Sequence, residues 1–315
     1  MQLLMLSADE VERLLDPDAL LDALVEEFKA LSENKVVAPG RSEVSTGEAG
    51  FLLTMPVYRP EREIAIKLVS VFHGNEARGL PAHQALICLF DAQTGTPLCV
   101  MDGTHITAMR TAGAAALSVR SLARDDARVL AIIGAGVQGA AHLTMVPRVR
   151  DVREIRIASG RFSHAQHLAE QDDRARAVAT AEEAVRGADI VCLCTNAAEP
   201  VIRGEWLAPG AHVTSVGYRP PSGELGGDVI ERGRLFVETR RAFEAPPVGC
   251  AELAGRDPAS GVELGELLLG HRPGRQANDE ITIYKAMGHA CEDLAAASLV
   301  YRRARQDSLG VSVTL

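Results

Sequence analysis

The chain has 315 residues, a net charge of −9 and 47% hydrophobic residues, enough for two domains with a sizeable core. Acids and bases are interspersed, which excludes the basic footprint of a nucleic-acid binder. No apolar run approaches the ~18 residues of a membrane span, and the opening MQLLMLSADEVERLL lacks the basic region of a secretory signal, so a cytoplasmic protein is expected.

Ser7-Ala8-Asp9-Glu10 reads as a capping box that opens a first helix. Asp16-Pro17 opens a second, with Leu20, Leu21, Leu24, Val25, Phe28 and Leu31 on one stripe. Strand-like runs follow at 63–72, 84–91 and 97–101, separated by turn residues such as Thr94-Gly95-Thr96-Pro97. Three such runs with short spacers predict a mainly antiparallel sheet capped by the N-terminal helices. A helix of small residues over 107–123 leads onward. From 128 to about 237, apolar runs alternate with helical patterns (VLAII, IRIA, ARAVA, DIVCLCT, HVTSVG, RLFVE). This is the rhythm of a parallel sheet with crossover helices. Residues 286–305 predict a final helix.

The most specific segment is RVLAIIGAGVQGAAHLTMVPRV, 128–149. A buried strand at 129–133 runs into Gly134-Ala135-Gly136-Val137-Gln138-Gly139, and an Ala-rich helix follows. The first glycine allows the tight turn, the second lets backbone approach a pyrophosphate, and the third lets helix pack on strand. The helix N-terminus then receives the phosphates. The second strand should be 154–158. NAD enzymes usually carry an acid at its end for the ribose 2′-hydroxyl. Here the end reads Ser159-Gly160-Arg161-Phe162-Ser163-His164. Without an acid, and with Arg161 able to pair a 2′-phosphate, NADP(H) is expected over NAD(H).

The nucleotide domain offers little acid–base apparatus, so the first domain should hold the substrate. Lys67 lies inside the apolar run IAIKLVSVF, an expensive place for an ammonium unless it meets an anion. The alternative is a lysine on an exposed face. Arg110 heads a run of small apolar residues, and Arg41 follows Pro39-Gly40. Brought together, these cations would clamp a carboxylate. The six cysteines form no CxxC pair and no zinc spacing. They read as buried thiols of a reducing cytosol, with no metal expected.

Several motifs now combine: Met55-Pro56, Lys67, Gly79-Leu80-Pro81, LFDAQTGTPL (89–98), VMDGTHITAMRTA (100–112), GAGVQG (134–139), Thr195-Asn196, HVTSVG (212–217), Glu224-Leu225 and ITIYKAMGHACEDLAAASLVY (281–301). On these the chain resembles the ornithine cyclodeaminase/mu-crystallin family over essentially its full length. The resemblance implies a homodimer whose first domain and last helix carry the dimer contact and the substrate. It also implies that Arg41, Lys67 and Arg110 hold the substrate carboxylate. The expected fold is α/β: a Rossmann-type doubly wound parallel sheet at 123–293, plus a smaller α+β substrate-binding and dimerisation domain from 1–122 and 294–315. The cofactor set becomes Gly134, Gly136, Val137, Gln138 and Gly139, with Ser159, Arg161, Thr111, Thr195, Asn196 and Gly217.

Two departures decide among the family's activities. Cyclodeaminases resemble one another in an acid two residues before Met-Pro and in another two residues after the glycine of the VG strand end. This chain has Leu53 and Arg219 there, and Asp228 lies outside the motif. The GLPAHQ stretch and Lys285 look most like the mu-crystallin branch, which is similar to NADPH-using ketimine reductases. The expected activity is reduction of the C=N bond of a small 2-imino carboxylate, or a related amino-acid dehydrogenation. The proton donor is Lys67 or His83, the latter with an equal reading as a histidine hydrogen-bonded beside the sheet. A cyclodeaminase with re-placed acids and a non-catalytic small-molecule binding protein are the alternatives. Neither nucleic acid nor membrane is expected as a partner.

Overall fold

A computed structural model describes residues 2–217 and 219–314. The chain opens with β1 (Gln2–Leu6), α1 (Ala8–Leu14) and α2 (Pro17–Ser32), followed by β2 (Ser42–Ser45), β3 (Phe51–Tyr58), β4 (Ile64–Val71), β5 (His83–Phe90) and β6 (Pro97–Asp102). Helix α3 (Thr104–Leu122) leads to β7 (Val129–Ile133), α4 (Val137–Met145), β8 (Glu154–Ala158), α5 (Phe162–Ala169) and β9 (Ala175–Ala177). Next come α6 (Ala181–Val185), β10 (Ile190–Leu193), β11 (His212–Ser215), α7 (Gly227–Ile230), β12 (Gly233–Val237), β13 (Val262–Glu263), α8 (Leu264–Leu268) and β14 (Ile281–Lys285). The chain closes with α9 (Ala290–Asp307) and β15 (Val311–Thr314).

Two compact units result: Met1–Arg110 with His289–Leu315, and Thr111–Gly288. The first division falls inside α3, not after it as the expected boundary at 122/123 would have it. The second falls before α9, not within it.

The first unit is built on a seven-stranded sheet, β15-β1-β6-β5-β4-β3-β2. All its pairs are antiparallel except β1 with β6. Sequence patterning finds three of these strands. β3, β4 and β5 each alternate between buried and more exposed positions, so one face of the sheet is core and the other is open. The inner face presents Met55, Val57, Ala65, Val69, Ile87 and Leu89. α9 lies over β3, β4 and β5, and α2 packs on α9. The helix starts follow the sequence signals. Ser7 and Glu10 form a full capping box, and the Asp16 carboxylate accepts from Ala19 N at 2.8 Å. The last helix is shorter at its start than expected, because 281–285 is strand and His289 caps α9.

The second unit is an eight-stranded parallel sheet, β13-β12-β14-β11-β10-β7-β8-β9. Alternate residues of its central strands feed two separate cores. Leu130, Ile132, Ile155, Ile157, Ile190 and Cys192 enter one; Ala131, Ile133, Val191, Leu193 and Val213 enter the other. Both faces are therefore covered, as near-continuous apolar strands require. The sheet grows outward from β7 in both directions, through β8 on one side and β10 on the other. The crevice beyond the strand ends at such a reversal is where doubly wound sheets bind ligands.

Candidate active site

In the second unit the strand ends converge at that reversal. β7 ends in Gly134, whose N–H donates to Ala158 O at 2.8 Å at the end of β8. Cys194 N donates to Ile133 O at 2.8 Å, drawing the end of β10 alongside. Gly134 has φ 109°, and a Cβ there would fall on the Cys194 carbonyl. A Cβ on Gly139 would fall on the Gly134 carbonyl, which sets how closely α4 packs on the turn. Gly136 faces open space and is the N-cap of α4 without a side-chain cap. The first N–H groups of α4 are thus left to a ligand, and the helix dipole favours an anion there. Val137 is exposed. Ser159, Gly160 and Arg161 follow β8 directly, and Arg161 is an exposed N-cap of α5 with no side-chain cap bond. This open turn beside an acid-free loop fits a dinucleotide.

Thr195, Asn196 and Gly217 follow β10 and β11, and an acid to which sequence reasoning gives no role joins them. Glu224 is wholly buried. Its Oε2 accepts from Thr195 N and Oγ1, both at 2.7 Å, and its Oε1 accepts from Ser215 Oγ, Val216 N and Gly217 N at 3.0, 3.1 and 2.6 Å. Lys285, also wholly buried, donates to Ser215 Oγ, Gly217 O and Glu252 Oε1 at 3.1, 2.7 and 2.8 Å. One carboxylate thus ties the ends of two neighbouring strands, and an ammonium–carboxylate pair braces the second. Thr111 lies apart from these strand ends in sequence, buried in α3.

In the first unit Lys67 lies on the inner face of β4, 2% exposed, with Met55 and Ile87 as its cross-strand neighbours. The exposed-face alternative is thereby excluded. The anion it meets is Asp293: Nζ donates to Oδ1 at 3.0 Å and lies 2.9 Å from Oδ2, where the alignment for a hydrogen bond is lacking. Arg110 Nε donates to the same Asp293 Oδ1 at 3.1 Å, and its Nη1 to Glu292 Oε2 at 3.0 Å. Glu292 Oε1 caps α9 by accepting from His289 N at 2.7 Å. All four charged side chains are buried. Burial, then the Arg110 charge, bring the Lys67 ammonium down to about 8, against the pull of Asp293. Burial pushes the Asp293 carboxyl up, but Arg110 and Lys67 outweigh it and hold the group below its ordinary range.

Of the residues expected in the clamp, Lys67 and Arg110 thus meet through Asp293. Arg41 immediately precedes edge strand β2, half-buried. His83 is exposed at the start of β5, opposite Val71. It shares the inner face with Lys67, but Lys67 pairs with Ile87. Four residues of strand, roughly 13 Å, separate the two levels. The residues that sequence reasoning misses are all acids: Glu224, Glu252, Glu292 and Asp293. The signal for the last pair is present, as two adjacent acids in the apolar helix ACEDLAAASLV.

The model of the ornithine cyclodeaminase/mu-crystallin family matches residues 1–308. The chain belongs to that family. It is 37% identical over 305 residues to the ketimine reductase mu-crystallin of Rattus norvegicus, covering 94% of this chain and 96% of that protein. The solved Thermococcus litoralis Delta(1)-pyrroline-2-carboxylate reductase, in complex with NADH and L-proline, superposes with TM-score 0.93 at 32% identity, covering 98% and 100% of the two chains. An archaeal alanine dehydrogenase dimer with bound NAD superposes with TM-score 0.90 at 28% identity, over 100% of both chains. Within the family, the two departures from the cyclodeaminase pattern have clear places. Leu53 is buried in β3 two residues before Met55, on the same inner face as Lys67. Arg219 is exposed. Asp228 caps a turn instead, its Oδ2 accepting from Gly204 N at 2.7 Å.

Proposed function

We propose that the protein is an NAD(P)H-dependent oxidoreductase that reduces the C=N bond of a small 2-imino carboxylate, with NADPH preferred over NADH. The observation that carries this reading is the pair of buried cations, Lys67 on the inner face of an otherwise apolar sheet and Arg110 on α3, brought together at Asp293. Relatives named as ketimine and pyrroline-carboxylate reductases support the reaction class. Arg110 offers the planar fork that suits a carboxylate, and Arg41 supplies further positive charge from the loop before β2. Lys67 delivers the proton that the product nitrogen needs; its level on the sheet and its burial favour it over the exposed His83. Bound reduced nicotinamide supplies the hydride. The preference for NADPH rests on Ser159 and Arg161 and on the absence of an acid in that loop.

The working form is a homodimer in the cytoplasm. The outer face of the seven-stranded sheet carries Met5, Val44, Leu86 and Val311 at 46, 61, 50 and 64% exposure, all on one side by strand register. A contiguous apolar face of this kind asks for a cover, and the archaeal alanine dehydrogenase is a dimer. The six cysteines are free thiols, as a reducing compartment allows.

The test is an NADPH-oxidation screen over cyclic imino carboxylates and over 2-oxo acids with ammonia or alkylamines. One cofactor should be oxidised per amine formed. Ornithine with catalytic NAD should give neither proline nor ammonia, because Leu53 and Arg219 leave no carboxylate at those positions for the distal amine. Proline formation as fast as imine reduction would overturn the assignment in favour of an ammonia lyase.

A further inference from the structure

The Lys67–Arg110 pair is not a bare patch of positive charge. Two carboxylates from the first turn of α9 neutralise it, and one of them, Asp293, accepts a hydrogen bond from each cation at Oδ1 while its Oδ2 also lies against Lys67 Nζ. We propose that Asp293 is the positioning residue of the proton-delivery step: it keeps the Lys67 ammonium charged and aimed while fixing the Arg110 guanidinium that receives the substrate carboxylate. The proposal rests on the reading of Lys67 as proton donor given above.

The surroundings of Lys67 give the physical reason. β3 and β5 present Met55 and Ile87 across from it. α3 presents Arg110, and α9 presents Asp293 and Glu292. Burial among apolar side chains favours the neutral amine, and a guanidinium nearby favours it further. Only the two α9 carboxylates act the other way, and Asp293 is the one in direct contact. Asp293 itself stays ionised. It has two cationic partners, and it sits at a helix N-terminus, where the backbone dipole favours negative charge. It therefore holds a proton on its neighbour without taking it.

The step balances simply. Hydride from the reduced cofactor brings the electron pair of the new C–H bond. One Nζ–H bond of Lys67 breaks and an N–H bond forms on the substrate nitrogen. Lys67 is left as a neutral amine beside two carboxylates, an environment that draws a proton back from water. The balance of buried charge thus resets the donor after each turnover. Asp293 is missing from any reading of the clamp as three cations alone, yet without it Lys67 would face the like charge of Arg110 with only the more distant Glu292 to offset it.

The experiment is the pH dependence of kcat/KM, which reports the free protein, for NADPH-driven reduction of a five-membered cyclic imino carboxylate. The unmodified protein should lose activity as pH rises through about 8, where Lys67 gives up its proton. Asp293→Asn should move that alkaline limb down by a pH unit or more and lower kcat/KM at pH 8 about fivefold or more. Glu292→Gln, which removes a more distant charge, should move it less and in the same direction. Lys67→Met should abolish the limb with the residual activity. A folded Asp293→Asn protein with reduced kcat/KM and an unmoved limb would overturn the proposal and leave Asp293 a purely structural counter-ion. If Asp293→Asn does not fold, Glu292→Gln decides, and an unmoved limb there overturns it equally. A limb that persists in Lys67→Met would refute the donor assignment itself, which is a distinct result from an unmoved limb in Asp293→Asn.

Discussion

Replacing Glu224 by Gln keeps the side chain's size and removes its charge, and the hydrogen-bond geometry sets the cost. Five donors converge on the two oxygens, three of them main-chain N–H groups at Thr195, Val216 and Gly217. An amide has one oxygen. If it takes the Oε1 place, its NH2 faces Thr195 N–H and the Thr195 hydroxyl. The hydroxyl can turn to accept, but the N–H cannot. If it takes the Oε2 place, two N–H groups are opposed instead. At best, one buried N–H is orphaned, at about 1–3 kcal/mol, and the surviving bonds lose their charge assistance at roughly 0.5–1 kcal/mol each. We expect the second unit to lose on the order of 3–5 kcal/mol. The chain's single tryptophan, Trp206, packs on that unit's core, so urea unfolding followed by its fluorescence reports the loss directly. The strand ends at Thr195 and Gly217 should also loosen and raise the NADPH Kd about tenfold, equivalent to ~1.4 kcal/mol. An unfolding free energy within about 0.5 kcal/mol of the unmodified protein, measured to the usual precision of linear extrapolation, together with an unchanged Kd, would refute the idea that Glu224 ties the two strands.

Arg161→Asp should cut the NADPH-over-NADH ratio of kcat/KM by about tenfold or more, since it removes a phosphate partner and adds repulsion; steady-state kinetics with both cofactors check this, and equal ratios before and after would discard the loop as selector. Arg110→Ala should lower kcat/KM for the imine by roughly a hundredfold and cost about 3–5 kcal/mol of stability, because Glu292 and Asp293 lose a buried partner. NADPH affinity should stay within about twofold, and a parallel loss of cofactor binding would put the residue in the wrong role. His212 is buried between Ser118 Oγ and Thr282 Oγ1 at 3.0 and 2.9 Å, and burial brings it down to about 3. His142 is lowered by burial to about 4. Both are neutral when folded but protonate near ~6.5 when unfolded, so the stability they contribute is complete above ~6.5 and drains away as pH falls, at up to ~1.4 kcal/mol per unit per histidine. A His212→Gln protein should show a shallower fall of Tm between about pH 6 and 4; an identical slope would exclude His212 as a source.

Local patterns are legible wherever neighbours in sequence are neighbours in space. β7 lies where its apolar run puts it, because a parallel strand buried on both faces leaves a near-continuous hydrophobic signature, and β8 shows in the alternation of Ile155 and Ile157 with Glu154 and Arg156. The Ser7–Glu10 box and the Asp16-Pro17 start are likewise local. β3 is hidden in the pattern because Pro56 interrupts its run, yet that proline sits inside the strand. β15 is four residues long, is mostly exposed, and pairs Thr314 with Gln2, an encounter that periodicity does not encode. The same limit governs the site. Lys67 announces itself by being charged inside an apolar run. Its counter-ion lies 226 residues further along, and nothing near Lys67 in the chain points to it.

That separation has a consequence for synthesis. Residues 1–110 leave the ribosome first, but α9 over β3, β4 and β5, the Asp293 carboxylate beside Lys67, and the strand that closes the β1 edge are all made last. Until then the nascent sheet has a bare apolar face, an open edge and an ammonium with no partner. The second unit meets no such delay, since Thr111–Gly288 is contiguous and encloses both of its cores. Domains generally fold as units as the chain emerges, so the second unit should be complete while the first is still waiting for its ends. A nascent chain with residue 288 just clear of the ribosome's exit tunnel would carry a folded second unit and an unfinished first-unit sheet, and that unfinished sheet is the part a chaperone would have to shield.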